Sequence, residues 1–151
     1  MAVLISPGFG FAVVPERLTR LVSRAMIRLP NWWIWNDAEL KANAPPGHNY
    51  PRASTRALAQ ILRLSLATQA LMRQKAPVAP SILVVTNLND HGVDNAVTGK
   101  VVDMWRAHGA TDVQTYQFPA ALHLPHGLID TQEPDQNVAV VYPKLLELVD
   151  Q

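Results

Sequence analysis

No cysteine occurs among the 151 residues. That removes disulfides, thiolate nucleophiles and zinc–cysteine sites together, and it is compatible with a reducing compartment. Charge of one sign is also lacking: thirteen Lys and Arg face twelve Asp and Glu, a formal net of +1. The basic residues read as scattered, so neither a basic patch for phosphate backbones nor an acidic tail is expected, and no nucleic-acid partner is implied. Long hydrophobic runs are missing as well. The apolar opening, residues 1–14, has no basic leader and is broken by Pro7, Gly8 and Gly10. Neither a signal peptide nor a membrane span is expected from it, which leaves the cytoplasm as the default location. What is present, 48% hydrophobic and 17% charged residues, amounts to about one globular domain with a core of its own.

Short β-type runs alternate with helical segments, which predicts an α/β fold with crossover helices. Residues 2–6 begin with Ala2-Val3-Leu4-Ile5, continuously apolar as in a strand buried on both faces, and stop at Ser6-Pro7. A strand of that kind needs neighbours, so its place at the start of the chain suggests that sheet partners have been lost. Residues 7–53 read as a cap or insertion. Within it, 15–27 read as a short amphipathic helix, with Leu18, Leu21, Val22 and Ile27 at roughly helical spacing and Arg17, Arg20, Arg24 and Arg28 on the other side. The stretch 30–36 is irregular and holds Trp32, Trp33 and Trp35, and the Pro-, Gly- and Asn-rich 41–52 is a surface loop. Residues 54–75 are a helix capped by Ser54 or Thr55, with Leu58, Ile61, Leu62 and Leu71 on one side.

From residue 81 to the end the rhythm is strand, helix, strand, helix. The expected strands are 81–86 and 112–118, giving about three mainly parallel strands with the first. The helix 95–108 carries an apolar face of Val97, Val101, Met104 and Trp105 and is capped by Asp94. The helix 137–149 takes a cap from Asp135, and Pro143 implies a kink or restart in it.

Ile82-Leu83-Val84-Val85-Thr86, Asn87-Leu88-Asn89-Asp90, Val93-Asp94-Asn95, Trp105-Arg106-Ala107-His108-Gly109 and Leu124-Pro125-His126-Gly127-Leu128-Ile129-Asp130 together resemble the C-terminal end of α/β-hydrolase-fold serine esterases. These are the carboxylesterases and lysophospholipase-like enzymes. The earlier Val3-Leu4-Ile5-Ser6-Pro7, with its Arg- and Trp-rich sequel, resembles the strand after the nucleophile helix and the cap that follows it. On this resemblance the chain is a partial α/β-hydrolase fold, the later half of such an enzyme. The strand after the cap then delivers the triad acid, Asp90, and the loop after the last strand delivers the triad base, His126. Where such enzymes often have an acidic residue after the histidine, Gly127 stands here.

The resemblance implies hydrolysis of a carboxylic ester or lipid-like small molecule, with no cofactor and no metal. A histidine accepts the proton of a serine hydroxyl and returns it to the leaving group, while a carboxylate fixes its tautomer. The nucleophile should lie upstream of Asp90 on a Gly-x-Ser-x-Gly turn, and no such turn occurs. Its oxyanion donors are lost with it. The chain alone is therefore expected to be inactive, and an N-terminal half is the implied partner. Self-association or partner binding through an exposed sheet edge, as a non-catalytic module, and a truncated gene product are the alternatives.

Ser6 ends a strand but lacks the elbow glycines, and Pro7 after it removes a backbone donor. The other four serines, Ser23, Ser54, Ser65 and Ser81, read as helix or cap positions. Phe9, Trp32, Trp33 and Trp35 are candidates to line an apolar substrate pocket, against the plainer expectation that the tryptophans pack the cap onto the core. Asp90 also suits a turn residue bonding its own backbone. His123 and His126 lack a third metal ligand, and Pro125 breaks regular spacing between them. Residues 87–98 fail as a calcium loop because Thr98, not Glu, holds the twelfth position. Gly8-Phe9-Gly10 lacks the third glycine of a dinucleotide fingerprint.

Overall fold

The strand Ile82–Asn87, β4, organises the molecule. In the computed structural model, which describes residues 1–35, 52–133 and 135–150, β1 (Ala2–Ile5), β4 (Ile82–Asn87) and β5 (Val113–Phe118) form a parallel sheet in the order β1-β4-β5. Leu4 pairs with Val84, and Val84 in turn with Thr115. All six residues of β4 are buried, as expected of a parallel strand covered on both faces. Its side chains alternate. Ile82 and Val84 face a cluster with Val101, Val102 and Trp105, whereas Leu83 and Val85 face one with Phe118, Leu124, Leu128, Val141 and Leu148. The result is a mixed α/β fold, a parallel three-stranded sheet flanked by helices, consistent with a partial α/β fold.

The helix after β4, α3 (Asn95–Ala107), supplies the first cluster, and α4 (Val138–Val149), near the C-terminus, supplies the second. The Asp94 side chain starts α3 by accepting from the N–H of Ala96 and Val97 at 2.9 and 3.3 Å, so the expected cap is present. Gly109, with φ of +89°, ends the helix: its N–H reaches the Arg106 carbonyl and that of Ala110 reaches Trp105, the paired closure that favours glycine. The cap of α4 differs from the sequence reading. Asn137, not Asp135, occupies it, and the Gln136 Oε1 accepts from Val138 N at 2.9 Å. Helix α4 also runs through Pro143 without a restart.

Between β1 and β4 lie α1 (Thr19–Arg28), the strand pair β2 (Trp33–Trp35) and β3 (Arg52–Ser54), and α2 (Thr55–Met72). Ser54 caps α2, accepting from Ala57 N at 3.3 Å, and the helix stops at Met72, three residues before the expected end. The expected loop 41–52 lies outside the described residues apart from Arg52, which is in β3.

Four expectations for this region are overturned or narrowed. Among its described residues the tryptophan stretch is irregular only over 30–32, because Trp33, Ile34 and Trp35 pair antiparallel with Ser54, Ala53 and Arg52. Nor do these rings all pack onto the core. Trp32 and Trp33 are 55% and 56% exposed, and the Arg52 guanidinium sits 4.9 Å from the Trp33 ring. Helix α1 turns small hydroxyls inward. Thr19 and Ser23 are buried while Leu18 and Leu21 are exposed, and the hydroxyls are satisfied within the chain by the Pro15 and Arg20 carbonyls. Finally, the arginines are not scattered: Arg20, Arg24 and Arg28 of α1 share one groove with Arg63 of α2.

Candidate active site

Asp90 and His126 follow the C-terminal ends of adjacent parallel strands, β4 and β5, the edge at which open α/β sheets place ligand sites. The acid loop is built from its own backbone bonds. Asp90 N donates to the Asn87 carbonyl at 3.1 Å, and Asp90 Oδ1 accepts from Gly92 N at 2.9 Å and Val93 N at 3.0 Å. The turn expected of an Asp in this context is real, and it leaves the second oxygen free for His126. The histidine Nδ1 lies 2.8 Å from Oδ2 and 3.0 Å from Oδ1. The carboxylate side chain is fully buried, whereas 52% of the imidazole surface is exposed.

Burial pushes the Asp90 carboxyl up, but the hydrogen bonds from His126 and from the Val93 and Gly92 amides outweigh it and hold the carboxyl below its ordinary value. The bond to Asp90 raises His126 above its ordinary value of 6.5 against the opposing effect of burial, with further help from the charges of Asp90 and Glu133. An ionised carboxylate only accepts, so Nδ1 carries the proton and Nε2 the lone pair. Among the described residues nothing hydrogen-bonds Nε2. The arrangement is a histidine held in one tautomer, its basicity raised, with its proton-accepting nitrogen open.

Asn87, the fully buried last residue of β4, was not singled out by the sequence reading, yet it joins the two loops. Its Nδ2 donates to the carbonyls of Leu124 at 2.6 Å and Pro125 at 3.1 Å, and its Oδ1 accepts from Asn89 N at 3.0 Å. The signal was available: an amide closing a wholly apolar strand must find partners when buried. The Asn89 Nδ2 adds a bond to the Ala120 carbonyl. Glu133 was also missed. Its Oε2 lies 3.3 Å from where a Cβ on Gly127 would stand, so it brings a negative charge to the place that the resemblance gives to a neighbouring acid.

Gly92 lies flat against the pair. A Cβ there would sit 3.2 Å from His126 Cγ and Nδ1 and 3.4 Å from Asp90 Oδ1. Because the ring is half exposed it yields outward, so Gly92→Ala is expected to cost the fold under about 1 kcal/mol while lengthening the Asp90–His126 bond. NMR titration of the imidazole should find its pKa moved down toward 6.5; an unmoved value would mean that the pair does not depend on this contact.

Phe9 stands edge-on to Trp105 at 5.9 Å, and its carbonyl accepts from Ser65 Oγ and from Gln69 Nε2. The segment after it touches the acid loop through the Phe11–Val93 bridge and the bond from Asp94 N to the Gly10 carbonyl. Trp33 and Trp35 flank Arg52 in the β2–β3 pair; the structure brings Asp90 and His126 together, and among the described residues no ring contact or hydrogen bond joins Phe9, Trp32, Trp33 or Trp35 to either of them. Ser6 has the left-handed backbone of a sharp strand-end turn, φ of +43°. Its Oγ, however, is buried and has no hydrogen-bond partner among the described residues, so no base is in contact with it there. Among the described residues no three His, Asp or Glu side chains are grouped to hold a metal ion, and no helix is long and apolar enough to cross a membrane. Neither a family model nor a curated protein matches the chain.

Proposed function

We propose that Asp90 and His126 are the acid and base of a serine ester hydrolase whose nucleophile, on a Gly-x-Ser-x-Gly turn, comes from outside these 151 residues. The observation that carries this reading is the pair itself: a wholly buried carboxylate 2.8 Å from Nδ1 of an exposed imidazole. His126 Nε2 takes the serine proton as the hydroxyl oxygen attacks the ester carbonyl, then returns it to the departing alkoxide. Asp90 keeps Nδ1–H in place and stabilises the imidazolium between the two steps. The outer edge of β1 is unpaired among the described residues, which leaves room for further sheet bearing the nucleophile. A partial α/β-hydrolase fold acting on a carboxylic ester accounts for these features together.

The test is expression of the reading frame back to the first upstream stop codon, followed by assay on p-nitrophenyl esters. The 151-residue chain should show no turnover above its His126→Ala control. An extended chain containing Gly-x-Ser-x-Gly should turn over and lose about 10⁴-fold or more on His126→Ala. An extended chain that is inactive, or indifferent to that substitution, sinks the proposal. So does an upstream stop codon together with a native mass matching 151 residues.

The exposed Trp32 and Trp33 and the outer edges of β1 and β5, unpaired among the described residues, favour a second reading, a non-catalytic module acting through self-association or partner binding. Analytical ultracentrifugation showing a monomer at every concentration counts against self-association.

A further inference from the structure

Cations and anions divide unevenly along this chain. Ten of the thirteen basic residues, eight of them arginine, but only three of the twelve acidic ones fall within residues 15–75. Arg20, Arg24 and Arg28 recur every four residues, one side of α1. With Arg63 of α2, and with Ser23, Ile27 and Leu66, they line a groove of about 370 Å³ whose wall, among the described residues, contains no acidic one. None of the four guanidinium groups has an ion pair or hydrogen bond among the described residues.

The contrast with the three basic residues outside 15–75 is complete. Lys100 pairs with Glu16, Lys144 with Glu147, and Arg106 donates to the Val113 carbonyl at 2.8 Å. Like charges four residues apart weaken a helix, and four of them facing one groove repel one another further. Such a cluster is accounted for when the counter-charge, which no described residue supplies, is a ligand. The residue type narrows the ligand's chemistry. Each cation is an arginine, whose planar fork matches paired oxygens, and a phosphate group offers three acceptor oxygens and more than one negative charge, where a carboxylate offers two oxygens and a single charge. Ile27 and Leu66 give one part of the wall an apolar character.

We propose that the groove between α1 and α2 is a binding site for a phosphate group, borne by a soluble phosphate compound or by a lipid headgroup. The site is independent of the chemistry at His126. The test compares the intact chain with the double variant Arg24→Gln, Arg63→Gln and with a charge-matched control, Arg73→Gln, Lys75→Gln, whose residues lie outside the groove. Thermal melting is followed in inorganic phosphate and in chloride of equal ionic strength. Co-sedimentation is measured with phosphatidylcholine vesicles lacking or containing phosphatidylglycerol.

If inorganic phosphate raises the melting midpoint above the chloride value, and the groove variant alone weakens the apparent affinity roughly tenfold or more, the ligand is a soluble phosphate. If inorganic phosphate does nothing but the chain sediments only with the anionic vesicles, and the groove variant alone abolishes this, the ligand is a headgroup. No response in either arm overturns the site. An equal loss in both double variants does so too, because it would reduce the effect to net charge.

Discussion

Phe118→Ala should remove about 3–5 kcal/mol of stability, the usual cost of emptying a large aromatic site in a packed core. Phe118 is 1% exposed and lies among Leu83, Val85, Leu124, Leu128, Val141 and Leu148, with Tyr116 edge-on at 5.0 Å. It therefore joins the middle strand, the last strand, the histidine loop and α4 in one cluster. Against a total stability of about 5–15 kcal/mol for an ordinary domain, the loss takes a large share of what holds the chain folded. Urea denaturation at a single pH measures it. Phe118→Leu, which keeps an apolar group in the site, should lose less. A cost under about 1 kcal/mol for the alanine variant would show that the site collapses around the gap or that the second cluster is not a packed core. Because Leu124 and Leu128 flank His126, the alanine variant should also broaden the imidazole signals while the protein remains folded.

Asp90→Asn should change the pH dependence of stability on both sides. The Asp90 carboxyl is depressed in the fold, so its contribution is present above its unfolded value near 3.8 and is lost as the pH falls through the lower folded value. His126 is raised, so its contribution is complete below 6.5 and is lost as the pH rises through the higher folded value. The pair thus stabilises most between these two unfolded values. Asparagine cannot supply the negative charge, so both limbs should flatten, and the His126 pKa should drop as burial acts without its main opponent. Unfolding followed across pH, together with imidazole titration, reads both effects. A variant whose His126 titrates as before would separate the two residues and remove the basis of the proposed chemistry. In an extended, active chain the same substitution should lower turnover by about 10⁴-fold, because the imidazole tautomer is no longer fixed.

The sheet and the acid–base pair were legible because each rests on local pattern. Ile82 to Thr86 is too continuously apolar to be an exposed segment, Val113 to Phe118 alternates, and Asp94 and Ser54 stand where helix caps stand. Asp90 and His126 were found through a resemblance, and their contact then followed from two loops leaving neighbouring parallel strands at the same edge. What escaped depends on distant partners. Trp33 to Trp35 pair with Arg52 to Ser54, and nothing in either segment alone specifies that register. Apolar spacing points to the leucines of α1, whereas Thr19 and Ser23 are the residues buried on it. Arg63 lies far along the chain from Arg20, Arg24 and Arg28, so their common groove is invisible to a count of charges.

Strand β4 has hydrogen-bonded neighbours on both sides, while β1 and β5 each have one among the described residues. Amide protons of Leu83 to Thr86 should therefore exchange with solvent only near complete unfolding, and those of the histidine loop much sooner. Asp90 stands three residues beyond the slowest-exchanging strand, but His126 hangs from the loop after β5, an edge strand among the described residues, and the side-chain hydrogen bonds from β4 that hold this loop come from Asn87. On heating, the base is expected to swing away while the acid is still in place, so the pairing fails by partial opening at temperatures where circular dichroism still reports a folded protein.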